Sequence, residues 1–198
     1  QVLARMGGAL PVLIGGDSTA CWPLLARRSA ADAVYVIRIG GPAPRVPANG
    51  RVVSSATLLA RALQLDGVTD TLQIAPSSSA GDAGDWAHPR HRLVSAQALQ
   101  ASGPERLLQA LPEGQRVHLG LDLAVLGHPG QDAAPGHMSC QSVAELVRAI
   151  GTRCRITGLD LTGLVPARAG WNVAAATALQ LLVLALDSYG WGDSLSSA

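Results

Sequence analysis

RVHLGLDLAVLGHP, residues Arg116–Pro129, decides how the rest of the chain is read. From Val117 to Leu123 the run is apolar apart from His118, Gly120 and Asp122, which is the pattern of a strand buried on both faces of a parallel sheet. Asp122 then falls where a buried strand is about to end. A carboxylate there is costly unless it is paired, hydrogen-bonded or bound to a cation, and the carboxyl ends of strands are where open α/β sheets hold their sites.

The chain around this strand has 198 residues, 48% of them hydrophobic, enough for one domain over 1–198 with a substantial core. A formal charge of +1 with both signs evenly spread gives no electrostatic case for nucleic acid or an anionic membrane. Cys21, Cys140 and Cys154 lie far apart and lack the spacing of a zinc or redox motif, so a reduced, cytoplasmic protein is expected. The longest apolar run, Val173 to Leu186, is interrupted by Thr177 and Gln180 and falls short of the about 18 residues of a membrane span, so it reads as a buried helix. Nothing at Gln1 has the form of a signal peptide. The opening QVLARMGGALPVLIGG reads as entering partway through a helix, and the expectation is a domain without its N-terminal portion.

Taken in order, Pro11–Ile14 reads as a short buried strand closing on Gly15-Gly16-Asp17-Ser18, with Asp17 or Ser18 capping a helix through Arg27. Ala33–Ile39 is a second strand, followed by the irregular GGPAPRVPANG. Ser54–Leu65 has helical spacing, with Leu58, Leu59, Ala62 and Leu65 on one face. Thr71–Ala75 is a third strand, Leu93–Val94 a short fourth, and Glu105–Leu111 a helix behind Pro104. Beyond the central strand, Ser142–Ile150 is an amphipathic helix, Arg155–Leu161 a last strand and Asn172–Asp187 the closing helix. Strands alternating with helices mean βαβ units, and right-handed crossovers follow.

Six motifs in this order then carry a resemblance: PVLIGGDS (11–18), VYVIRIGG (34–41), TLLARALQLDGVTDTLQIAP (57–76), VHLGLDLAVLGHP (117–129), APG (134–136) and ITGLDLTGLVP (156–166). Together they resemble the ureohydrolase family of arginases, agmatinases and related amidinohydrolases over nearly the whole chain. The resemblance implies a three-layer α/β fold with a doubly wound, mostly parallel, arginase-like sheet whose strand ends hold two divalent metals, and a bridging hydroxide that attacks a guanidinium carbon. Such a centre needs hard ligands, mostly carboxylates with two imidazoles.

Residue by residue, the resemblance shows most of those ligands replaced. The family's GGD turn is followed by a His, and here that position is Ser18. Its Asp-x-His-x-Asp cluster falls on Arg38, Gly40 and Pro42. Of its two central Asp, Asp122 matches the first and Ala124 stands at the second, while its next Asp-Pro falls on Gly127-His128. The Glu that holds the substrate guanidinium aligns with Gly163 of GLVP. Asp122 is thus the one retained ligand position, and one strand carboxylate cannot hold two metals even with His88, His128 or His137 reaching in from the loops. Arg38 is expected to pair with Asp122 where a metal would have sat.

Other candidates have plainer readings. Asp17 is a turn or cap residue. His88 and His91 in HPRH straddle a proline and read as solvated loop rather than a metal site. Ser18 lacks the G-x-S-x-G setting of a nucleophile elbow, and GGALPVLIGG lacks the GxGxxG of a dinucleotide site. Trp171, Tyr189 and Trp191 fit either a core or an interface, and their place in an aromatic-poor chain tilts the reading towards an interface. The reading that follows is a pseudoenzyme: no catalytic residue and no cofactor in this chain, and a hetero-oligomer, trimer or hexamer, with a homologous catalytic subunit carrying manganese or nickel. The alternatives are an active amidinohydrolase with a rebuilt or single-metal site using Asp122 and loop histidines, and a small-molecule-binding regulatory protein in the emptied pocket.

Overall fold

A computed structural model describes residues 9–45, 52–76, 86–109, 111–126, 137–165 and 171–187. The strands are β1 (Val12–Ile14), β2 (Val34–Ile39), β3 (Val68–Ile74), β4 (His91–Val94), β5 (Arg116–Asp122) and β6 (Arg155–Thr162). The helices are α1 (Trp22–Ala31), α2 (Leu58–Ala62), α3 (Ala96–Gln109), α4 (Cys140–Arg153) and α5 (Trp171–Asp187), with 3-10 turns at Ser18–Cys21 and Leu123–Leu126. The strands form one sheet in the order β1-β6-β5-β2-β3-β4, and every pairing is parallel. From β2 the chain winds outward to β3, and from β5 it winds the opposite way to β6. The direction therefore reverses between β2 and β5, the place where doubly wound sheets open a crevice at their strand ends.

The two faces of the sheet differ in chemistry. Tyr35, Ile37, Ile39, Leu72, Ile74, Leu119, Leu121, Leu159 and Leu161 form one apolar face, packed against α3, α4 and α5 through Leu99, Leu107, Leu146, Val147, Ile150 and Leu181. On the other face Val36 joins a smaller cluster with Leu25 of α1 and Leu59 and Ala62 of α2. Side chains alternate along a strand, so Arg38 shares the face of Val36, and Asp122 shares that of His118 and Gly120. Helices on both faces complete the three layers that the resemblance implies.

Element ends follow local chemistry. Asp17 Oδ1 accepts from Thr19 N at 2.7 Å and starts the 3-10 turn, and α1 begins only at Trp22, with Pro23 in its first turn. The expected helix over Ser54–Leu65 shortens to Leu58–Ala62. Ser54 N donates to Thr57 Oγ1 at 2.9 Å and Thr57 N to Ser54 O at 3.1 Å, so side-chain bonding there makes a turn instead of a helical entry. The helix behind Pro104 proves to be the second part of α3, which starts at Ala96 with Ser95 capping Ala98 N at 3.1 Å, and breaks at Gly103, φ +73°. It stops at Gln109, short of the expected Leu111. Strand β3 starts at Val68, earlier than expected, because Val34 N donates to Gly67 O at 2.8 Å. In α4, Ser139 caps Ser142 N at 3.0 Å, and Val143, Leu146, Val147 and Ile150 face the core.

Two glycines make a matched test. A Cβ at Gly67 would lie 1.8 Å from Ser29 O, against backbone that cannot swing away, whereas one at Gly114 meets nothing within 4 Å and is opposed only by φ +70°. Gly67→Ala is expected to lose about 3 kcal/mol or more, and Gly114→Ala about 1 kcal/mol, as read by chemical denaturation. Equal losses would contradict the packing of α1 against the start of β3.

Candidate functional site

Three neighbouring strands place a polar row across the middle of the sheet. Arg38 of β2 stands opposite Gly120 of β5, and Gly120 stands opposite Asp160 of β6. One step towards the strand starts, His118 faces Gly158, and one step towards their ends Asp122 faces Thr162. Both strands contain the same four residues, Gly120-Leu-Asp-Leu and Gly158-Leu-Asp-Leu, paired two places out of step. Each glycine therefore lies beside a bulky polar side chain. A Cβ at Gly120 would be 2.9 Å from Asp160 Oδ2 and 3.1 Å from Arg38 Nη1, and one at Gly158 only 2.6 Å from His118 Nδ1.

Through the gap at Gly120 the Arg38 guanidinium reaches two carboxylates. Nη2 donates to Asp122 Oδ2 at 3.2 Å and to Thr162 Oγ1 at 3.2 Å, and Nη1 donates to Asp160 Oδ1 at 3.5 Å. Asp160 Oδ2 pairs with His118 Nε2 at 2.9 Å. Arg38 is 2% exposed, Asp160 and His118 1% each, and Asp122 8%, so the cluster is removed from water. The Arg38–Asp122 pair expected from the sequence is present. Asp160, His118 and Cys21 were not anticipated as its companions; the repeated GLDL points to Asp160 only once the pairing offset of the two strands is known, and it contains neither His118 nor Cys21. Burial, and next the Asp160 carboxylate, push the Cys21 thiol above its ordinary range, so it is held protonated.

Among the described residues, the side chains at the strand ends do not fit a dinuclear metal centre. Both Asp122 oxygens are engaged, Oδ2 by Arg38 and Oδ1 by Ala124 N at 3.1 Å. Ala124 is exposed and Ser18 is buried with no hydrogen-bond partner on its hydroxyl. Gly40 has φ +81° and a Cβ there would sit 2.7 Å from Asp122 O, so a side chain at this place is excluded as well as absent. Gly163, φ +85°, would carry its Cβ 2.8 Å from Asp122 Oδ1. Gly41 covers the guanidinium, its Cβ position being 2.9 Å from Arg38 Nε, and Gln73 Nε2 ties down the same loop by donating to Gly40 O and Pro42 O, each at 2.9 Å. At Gly40, a ligand position in the resemblance, and at Gly163, its substrate position, neighbouring atoms fill the space a side chain would need.

The remaining candidates lie apart from this cluster. Asp17 caps its turn, also accepts from Ser55 Oγ at 2.9 Å, and its carboxyl is held below the usual range by the Thr19 hydrogen bonds. His91 Nδ1 meets Thr71 Oγ1 at 2.8 Å and its ring packs 4.7 Å from Trp86, while His88 Nδ1 accepts from Arg90 N at 3.1 Å. His137 is half-buried ahead of α4. His128, Tyr189, Trp191 and the Trp171 side chain lie outside the described residues.

Two outcomes follow. Arg38→Met leaves two carboxylates buried without their cation and is expected to lose about 3–5 kcal/mol, with part recovered on adding Asp122→Asn; additive losses in denaturation of the single and double variants would separate the two residues. Burial lowers the His91 pKa from 6.5 to about 4. The unfolded chain then binds more protons than the folded one between those values, so His91's contribution is whole above pH 6.5 and declines as pH falls towards 4. His91→Gln should flatten that part of the stability–pH curve.

No protein-family model matches the sequence, and no curated protein matches it. Solved structures do. The agmatine ureohydrolase of Thermoplasma volcanium superposes with TM-score 0.68 at 20% identity, over 92% of this chain and 64% of that one. Arginase from Bacillus cereus gives 0.67 at 18% identity, over 90% and 71%. An arginase-like protein of T. brucei, solved as a quadruple mutant in which three Ser and one Arg became three Asp and one His, gives 0.61 at 16% identity, over 92% and 61%. The chain thus spans under two thirds of the length of the first and last of these. A single parallel sheet reversing its winding at Arg38 and Asp122, superposed on ureohydrolases of several specificities, establishes that this chain has the arginase-like α/β fold.

Proposed function

We propose that the chain is a noncatalytic member of the ureohydrolase family, a subunit that assembles with a metal-dependent catalytic paralogue hydrolysing a guanidino compound in the cytoplasm. The observation that carries this reading is the Arg38 guanidinium, 3.2 Å from Asp122 at the switch point, standing as the fixed cation where a family member would hold its manganese or nickel. Both oxygens of Asp122 are taken, Oδ2 by Arg38 and Oδ1 by the Ala124 amide, which leaves neither for a divalent ion. The T. brucei protein supports the reading in kind, since Ser and Arg are the residues replaced there, and Ser18 and Arg38 stand at ligand positions here.

Assembly is supported by apolar surface. Val173, Leu179 and Val183 lie on one outward stripe of α5, and Val12 and Ile14 are exposed on the edge strand β1. Among the described residues no helix is long and apolar enough to cross a membrane, so a bilayer spanned by α-helix is not what covers them.

Purified alone and incubated with manganese or nickel, the chain should bind no ion at Asp122 and release no urea from guanidino compounds. Co-expressed with a catalytic paralogue, it should co-purify with it and raise its thermal midpoint or rate. Urea release by the lone chain, with manganese bound at Asp122, would overturn the proposal, as would a paralogue that behaves identically with and without it.

A further inference from the structure

Beneath the ion cluster lies a group of donors that the arginase resemblance does not use. Cys21 ends the 3-10 turn after β1, His118 lies on β5 and Asp160 on β6, and their sulfur, nitrogen and oxygen atoms all fall within 4.8 Å of one another. Each is 1% exposed. Thiolate, imidazole and carboxylate brought together from three separate elements make the donor set of a tetrahedral zinc site. The charges of the cluster point the same way. Arg38 is one cation facing two carboxylates, Asp122 and Asp160, which leaves one negative charge over in a site away from water. That excess is costly unless another positive charge is present.

A divalent ion that displaces the Cys21 proton supplies it, contributing two positive charges and creating one negative, a net gain of one. The Cys21 thiol, buried beside Asp160, converges with the other two donors, which is the arrangement that ligation requires. Asp160 is already oriented for it, because Arg38 holds Oδ1 at 3.5 Å and leaves Oδ2 directed at His118.

We propose that Cys21, His118 and Asp160 bind one Zn2+ that ties the turn after β1 to β5 and β6. The thiol proton leaves to solvent as the Zn–S bond forms, and no electron is transferred. Among the described residues no further Cys, His, Asp or Glu joins the group, so a water or the Ser18 hydroxyl, buried without a partner in the same turn, completes the coordination. At this depth the ion is structural, with no open position for a guanidino substrate.

The test uses the whole chain, stripped with chelator and reloaded with Zn2+ or Co2+ alone. Expected are one ion per chain, a thiolate-to-cobalt charge-transfer band, and a thermal midpoint raised by zinc. Cys21→Ala should weaken binding more than about tenfold and abolish the band, while Cys140→Ala, which removes the exposed thiol, should leave both unchanged. A folded wild-type chain that binds no zinc, or zinc bound equally well by Cys21→Ala, would overturn the proposal. Two ions per chain without a thiolate band would overturn it too, and with it the noncatalytic reading; one ion with the band leaves that reading intact.

Discussion

A guanidinium held between two buried carboxylates is the constraint around which the middle of this sheet is built. Arg38 cannot shed its charge, and at 2% exposure it cannot rely on water, so Asp122, Asp160 and Thr162 must all reach it. They can do so only because Gly120, on the strand between β2 and β6, carries no side chain. The loop at Gly40 and Gly41 then folds down onto the same group in a left-handed conformation. Three glycines, two carboxylates and one arginine thus form a single unit, in which a change at any one member is felt by the others.

The same unit selects the pairing of β5 with β6. Hydrophobic alternation fixes which face a side chain occupies, but a slip of two residues preserves that alternation. In these strands such a slip would set Gly-Leu-Asp-Leu against its own copy, placing Asp122 opposite Asp160 and Gly120 opposite Gly158. Two buried carboxylates would then repel across the ladder, and His118 would lose the glycine it lies over. The observed register puts Arg38, Gly120 and Asp160 in one row instead. Here buried charge contributes uniqueness of register, which packing alone leaves degenerate.

This division explains what could be read from the amino acids beforehand. Apolar runs at Val34–Ile37 and Val117–Leu121 revealed the strands because burial acts through residue type, and motif order pointed to the arginase-like sheet. Arg38 with Asp122 was legible because both are charged and stand at family ligand positions. Asp160 and His118 were hidden: each is a lone polar residue in an apolar run, and their meeting depends on a pairing offset that no single strand encodes. The ends of α2 and α3 were missed for a local reason, since Ser54 and Thr57 bond to backbone and Gly103 takes φ +73°. A short, side-chain-bonded turn and a kinked helix share the periodicity of a straight one.

The way the ligand positions are filled bears on function more than the number lost. Had Gly40 and Gly163 been open space, a missing side chain would leave a cavity in which another ligand, a loop histidine for instance, could stand in. Instead the Cβ directions at both point into Asp122, at 2.7 and 2.8 Å. The backbone fills the space at both glycines, and the Arg38 guanidinium supplies the positive charge beside Asp122. The carboxylate is thereby satisfied by Arg38 and Ala124 together. A buried carboxylate balanced in this manner needs no bound ion to offset its burial, which is the physical condition that the proposed noncatalytic reading requires.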